Sequence, residues 1–425
     1  MVYFVGIRST VEGKPFTGRE RKMNEKIEAA RQGALQILKP RKKELEHGLA
    51  LHAESIVCDT YGFAPRAAID GDAVASAIEA GASEAELNDM NEEMSMTRCA
   101  TDPGERAEFQ EAWRSSGVTC IVQNAGEEGQ APLRLIKRLA RFTYVADVMR
   151  DFLLRATTPA DIEAAGKQGK HCFYMSGNGV PLSQDWVSVE EELRYIRIFF
   201  QLGIRMMHLT YNRRNMLGDG CAEPANAGLS DFGRSVIAEM NRVGVIVDVA
   251  HAGWQTSLEA ARASAAPMVA SHSGCCAVNE HVRCKPDNVI RAILDTGGYV
   301  GICCIPAFLG RSGDIHALLD HVDYMVRTYG ADHVTIGTDT AYASRASAAE
   351  RRKAPRSRGR PRWAYFWPPD AFDAHWRQEH MVKSLAWTNW PLFTVGMVQR
   401  GYPDADIRKI LGGNMLRVAR AALAG

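Results

Sequence analysis

The sequence predicts an α/β protein, a (β/α)8 barrel with a helical N-terminal extension. Three observations predict it. Eight short apolar runs recur along the chain, separated by stretches of helical periodicity, which is how parallel strands covered on both faces read. Several runs end on a polar residue or a histidine, where barrels of this kind carry their chemistry. A length of 425 residues, 46% hydrophobic and 24% charged, supplies a large core without requiring a second domain.

The N-terminal segment is charged. Thr17 and Glu20 have the spacing of a capping box. Ile27, Ala30, Ala34 and Leu38 form a helical stripe, and Pro40 interrupts it. Residues 1–53 are therefore expected to form a helical extension on the barrel or on a neighbouring subunit, with the barrel over 54–425.

The expected strands are Ile56–Asp59, Thr119–Gln123, His171–Met175, Met206–Thr210, Val245–Ala250, Met268–Ser271, Tyr299–Cys304 and His333–Gly337. One unit shows the logic. Phe232, Val236, Met240 and Val243 mark one helix face, Gly244 stops the helix, and an apolar run from Val245 ends at His251.

A net charge of +1 gives no global pull toward nucleic acid or a membrane surface. No apolar run approaches the roughly 20 residues of a membrane helix. The opening residues turn polar too soon for a signal peptide, so a cytoplasmic location is expected. The ten cysteines show no CxxC pair and read as small apolar filler in a reducing compartment.

The strand ends present Asp59 and Tyr61, then Ser176, then Tyr211 and Asn212, then His251, His272 and Asp339. Neutral imidazoles suit zinc and other borderline metals. A nearby carboxylate can move a proton. A lone histidine at such a position is more often structural, and two with an aspartate bring a metal or catalytic reading level with it.

Gly228-Leu229-Ser230-Asp231-Phe232-Gly233, Asn241-Arg242-Val243-Gly244, Asp248-Val249-Ala250-His251, Ser271-His272-Ser273 with Pro286-Asp287, and Arg400-Gly401-Tyr402 with Ile410-Leu411-Gly412-Gly413-Asn414 are similar to the membrane (renal-type) dipeptidases. The resemblance runs from about residue 170 to 423. It implies a (β/α)8 barrel of the amidohydrolase group with two zinc ions and dipeptide hydrolysis. It also implies that His251 and His272 are metal ligands, that Arg283 binds a substrate carboxylate, and that Asp339 assists the chemistry.

Other positions depart from the family pattern. With Asp59 aligned to the aspartate preceding the family's HxD pair, Tyr61 and Phe63 stand in place of that pair's His and Asp. Ser176 stands for the bridging glutamate and Tyr211 for a histidine. The expectation is one divalent ion, zinc by its ligands, on His251 and His272 with Asp339 or Asp59, or no ion at all. Tyr61 and Tyr211 are candidates to donate to a substrate oxyanion, or they merely fill space. Ser176 and Asn212 join Arg283 as candidate substrate contacts.

A loop over 342–369 carries Arg345, Arg351, Arg352, Lys353, Arg356, Arg358, Arg360 and Arg362, then Trp363, Tyr365, Phe366 and Trp367. It reads as a lid or as a solvated or inter-subunit loop.

Three functions follow from the sequence. The first is a dipeptidase-like hydrolase with a mononuclear site, cleaving an amide bond in a small carboxylate substrate. The second is a metal-free enzyme on the same barrel. The third is a non-catalytic protein that binds a small carboxylate. A homo-oligomer is expected on general grounds.

Overall fold

The structure, a computed structural model, describes residues 24–126, 130–355, 365–367 and 373–424. The Thr17–Glu20 capping box, and Arg356, Arg358, Arg360, Arg362 and Trp363 of the long loop, lie outside the described residues.

Nine parallel strands form one sheet: β1 (Cys58–Gly62), β2 (Cys120–Asn124), β3 (Leu153–Ala156), β4 (His171–Gly177), β5 (Ile204–His208), β6 (Ile246–Asp248), β7 (Val269–Ser273), β8 (Tyr299–Ile302) and β9 (Val334–Ile336). Eight of them run in the order β1-β2-β4-β5-β6-β7-β8-β9. The ring is drawn shut where Asp339 N donates to Tyr61 O at 2.9 Å and Phe63 N to Thr340 O at 3.3 Å. With helices around this ring, the chain is a nearly closed (β/α)8 barrel, as the sequence predicts. The short β3 was not expected. It lies in parallel against residues 171–174 of β4, while β5 pairs with residues 175–177.

The period of two in each strand sorts residues between two compartments. Cys58, Cys120, Cys172, Tyr174, Met206, Ile246, Val269 and Tyr299 pack together in the barrel interior. Ile121, Phe173, Met207, Val247, Val300 and Ile336 belong to the larger core shared with the helices. Cys58, Cys120 and Cys172 stand in register on neighbouring strands, and all ten cysteines are free thiols.

Helices Glu25–Leu38 and Lys42–Glu54 precede β1, and the first buries Ile27, Ala30, Ala34 and Leu38. Lys39 ends it in a left-handed conformation next to Pro40. The pair packs on the C-terminal helices: Asn389 Nδ2 donates to Ala30 O at 3.0 Å, and His52 Nδ1 lies 2.8 Å from Thr394 Oγ1. Helix Asp231–Val243 ends at Gly244 with φ of 88° and turns into β6. No helix among the described residues is long and apolar enough to cross a membrane.

Candidate active site

The site lies at the C-terminal ends of the strands, where β5, β6 and β7 deliver three histidines. His208 is the last residue of β5. His251 follows β6 by three residues, and His272 lies within β7. All three are buried, and ring nitrogens from each lie within 4.8 Å of one another. The Nε2 atoms of His251 and His272 are 3.0 Å apart. His251 Nδ1 donates to Asn212 Oδ1 at 2.7 Å, because an amide oxygen can only accept. That bond fixes the tautomer and makes His251 Nε2 the ring's acceptor. Ser271 Oγ lies 2.8 Å from His272 Nδ1. Burial first, and then the charge of Arg283, hold both imidazoles well below their ordinary pKa. They are neutral at physiological pH, the state a metal requires.

His208 was not singled out from the sequence. Its Nδ1 lies 3.1 Å from Gly177 O, and its Nε2 is 2.9 Å from Asp248 Oδ2. Both side chains are wholly buried, and these two facing atoms make no hydrogen bond among the described residues. Burial alone would raise Asp248. His208 beside it, with donors from Ser271 N at 3.1 Å and Ala250 N at 2.9 Å, outweighs burial and keeps the carboxyl below its usual range.

The tyrosines flank the histidines. Tyr61 lies flat on His272, with ring centroids 3.8 Å apart and planes 10° apart, and its hydroxyl donates to Asn178 Oδ1 at 2.5 Å. Tyr211 stacks on His251 at 4.2 Å. A cavity of about 500 Å³ opens beside them, lined by Tyr61, Tyr211, His251, Asn178 and Asp339 among others. Asp339 has φ of 53°, a conformation that costs energy in a non-glycine residue. Burial pushes its carboxyl up to about 6 against the opposing charges of Arg283 and His208.

The remaining expected residues stand elsewhere. Asp59 points away from the barrel interior, since Cys58 and Thr60 on either side face inward. Its oxygens accept from Thr338 N at 2.8 Å, Thr338 Oγ1 at 2.6 Å and Trp387 Nε1 at 3.0 Å. Burial pushes it up to about 7. It is not part of the histidine cluster. Ser176 is wholly buried, and its Oγ has no hydrogen-bond partner among the described residues. Asn212 is buried against His251 and Cys221.

Arg283 is also wholly buried and is not on the cavity wall. It donates to Ala250 O and, at 3.2 Å, to His272 O, and its Nη2 is 3.3 Å from His251 Nε2. It therefore stands behind the histidines. From the long loop, Trp367 reaches the cavity and stacks on Phe308 at 5.9 Å. Arg213 ties this loop down through Tyr365 O and Trp367 O.

The family model for membrane dipeptidases, peptidase family M19, matches residues 108–348, more than half of the chain. The chain belongs to the membrane dipeptidase family. Dipeptidase tcpJ of Claviceps purpurea is 26% identical over 281 residues, which span 65% of this chain and 57% of that one. The matched stretch is thus little more than half of that relative. An amidohydrolase from Pseudomonas aeruginosa shares the fold with a TM-score of 0.63 and 24% identity, covering 89% of this chain and 99% of that one. A metallopeptidase from Rhodobacter sphaeroides, solved with a phosphinate mimic of the dipeptide L-Ala-D-Ala, has a TM-score of 0.60 and 17% identity, covering 87% and 100%.

Family membership implies zinc, so the donor set can be tested against it. At the positions expected to replace the family's other ligands, Phe63 offers no donor atom, the Tyr61 hydroxyl donates to Asn178, and Ser176 Oγ is a neutral hydroxyl. One ion fits better. Nitrogens on a tetrahedral zinc with bonds of about 2.0–2.1 Å lie about 3.3 Å apart, close to the separation of the two Nε2 atoms. His208 adds a third imidazole nearby. Arg283 and Lys285 oppose a cation electrostatically, while Asp248 and Asp339 offset them.

Proposed function

We propose that this membrane dipeptidase family member is a hydrolase with a mononuclear metal site, cleaving an amide bond in a small carboxylate substrate. The observation that carries the reading is the opposed pair His251 and His272, with Nε2 atoms 3.0 Å apart and His251 on the wall of a cavity. His251, His272 and His208 would hold one divalent ion, zinc by its imidazole set. When bound, the ion supplies polarisation of the scissile carbonyl and acidification of water.

The chain's own groups do the rest. Asn212 holds His251 in one tautomer. Asp339, with its carboxyl near 6, takes a proton from the attacking water and passes it to the leaving nitrogen. Arg283, behind His251, places positive charge at this end of the cavity and draws an anionic group toward it. Tyr61 and Tyr211 keep the imidazole faces dry, so the ring edges alone meet the ligand.

A metal-free reading has its own support. Ser271 Oγ–H to His272, His272 Nε2–H to His251, and His251 Nδ1–H to Asn212 make a closed chain with every ring nitrogen satisfied. Metal analysis of protein purified without chelator separates the two. About one equivalent, lost in the His251→Ala, His272→Ala double variant, is expected. A folded protein with no metal would overturn the metallohydrolase reading, and two equivalents would overturn the mononuclear one.

A further inference from the structure

We infer that the cavity accepts an N-acylated amino acid with an apolar acyl group, in preference to a free dipeptide. The inference rests on the hydrolase reading only for the bond that is cut. Away from the histidines, the cavity wall includes Phe63, Met96, Phe109, Phe142, Val145 and Phe173, beside the ion-paired Glu92 and Arg138. Phe173 points outward from β4 into the core shared with the helices. Met96, Phe109 and Phe142 come from helices Glu84–Thr101, Pro103–Ser116 and Pro132–Val148. The cavity therefore runs past the ends of β2 and β4 into an apolar compartment between strands and helices. Phe63, the residue expected in place of the family's metal-binding aspartate, also lines the cavity.

Size and charge both favour an acyl chain. A volume of about 500 Å³ suits a ligand larger than two small residues. A free dipeptide brings an α-ammonium group that needs an anion. Among the described residues, three carboxylates line the cavity: Glu92, Asp339 and Asp373. Glu92 is held by Arg134 at 2.5 Å, Arg138 at 2.6 Å and Arg141 at 3.3 Å. Asp373 caps the turn Ala374–Arg377 through His375 N at 2.8 Å. Asp339 is committed to proton transfer in the reaction proposed above. An acylated nitrogen carries no charge and needs none of them. In the reaction, the amide C–N bond breaks, the acyl carbon gains the hydroxyl of water, and the nitrogen gains its proton. A carboxylic acid and a free amino acid leave.

The test is titration calorimetry with N-octanoylglycine and with glycylglycine, run beside an assay for released glycine. N-octanoylglycine is expected to bind about tenfold more tightly or better, as burial of its added methylenes requires. Met96→Trp fills the compartment from a partly exposed position and is expected to abolish that preference. Val145→Phe does the same from the facing helix, in case the first variant folds poorly. Equal binding of the two compounds, or a preference that survives both substitutions, would overturn the inference. Selective binding of N-octanoylglycine without release of glycine would uphold it and overturn the hydrolase reading instead.

Discussion

His251 and Asn212 form a hydrogen bond that settles a tautomer: Nδ1 donates to Oδ1 at 2.7 Å, so Nε2 of His251 is left as the acceptor facing His272. Asn212 was expected to touch substrate. Its buried position behind the ring makes it a residue that orients His251. Groups that orient a metal-binding histidine typically contribute 10- to 100-fold in affinity.

Asn212→Leu keeps the side-chain volume and removes the acceptor. Ion affinity, measured by competition with a chromophoric chelator, is expected to fall about 10- to 100-fold with the fold intact. An unchanged affinity would mean that Nε2 of His251 does not bind the ion.

Asp339 gives a pH prediction. Its carboxyl titrates at about 6 because burial disfavours the charged form. As a general base it works only when ionised. The rate is therefore expected to rise as pH passes upward through about 6 and then to level off. Asp339→Asn is expected to lower kcat about 10²- to 10⁴-fold and to remove that inflection while ion content persists. Loss of the ion with the rate would make Asp339 a ligand.

Asp59 separates a structural role from a metal role. Asp59→Ala strands three buried donors, Thr338 N, Thr338 Oγ1 and Trp387 Nε1, and opens the seam between β1 and β9. Gly62 packs so tightly on this carboxylate that a Cβ there would sit 2.3 Å from Oδ2. A loss of about 2–4 kcal/mol is expected, read by chemical denaturation, with ion content per folded molecule unchanged. The pH trend follows from the sign of the shift. The folded carboxyl is raised from 3.8 to about 7, so its stabilising contribution is full below about pH 4 and is lost as pH rises toward 7. The cost of the substitution is therefore largest in acid and shrinks toward neutrality.

Much of the barrel was legible because buried parallel strands leave continuous apolar runs, and all eight expected strands overlap observed ones. β3 was not, because Leu153-Leu154-Arg155-Ala156 is short and half-exposed at its centre. His208 is hard to read from the sequence because Tyr211, three residues later, also follows β5. Its signal was present: a histidine and Asp248 end adjacent strands and meet in register. The outward direction of Asp59 was also available from the alternation of Cys58, Asp59 and Thr60. The apolar branch of the cavity was not available at all. Its walls come from three helices and an outer strand face, and no local pattern announces that four distant segments enclose a space.

Lys285 supplies the last prediction. Its amine is buried with no carboxylate bonded to it among the described residues, held by Ala252 O at 2.7 Å and Ser257 Oγ at 3.3 Å, and burial lowers it to about 8. Its charge also helps to depress both His251 and His272, and it opposes a cation between them for the same reason. Lys285→Met removes that charge at similar volume. Ion affinity is expected to rise about 3- to 10-fold, the scale of one charge acting through a partly screened interior. Stability gives an independent readout. The folded amine binds its proton less tightly than the unfolded one, so the wild-type chain gains stability as pH climbs from about 8 to 10.5. Lys285→Met is expected to lack that gain. If the variant binds the ion more weakly, Lys285 holds the loop of His251 in place through Ala252 O, and its charge is secondary.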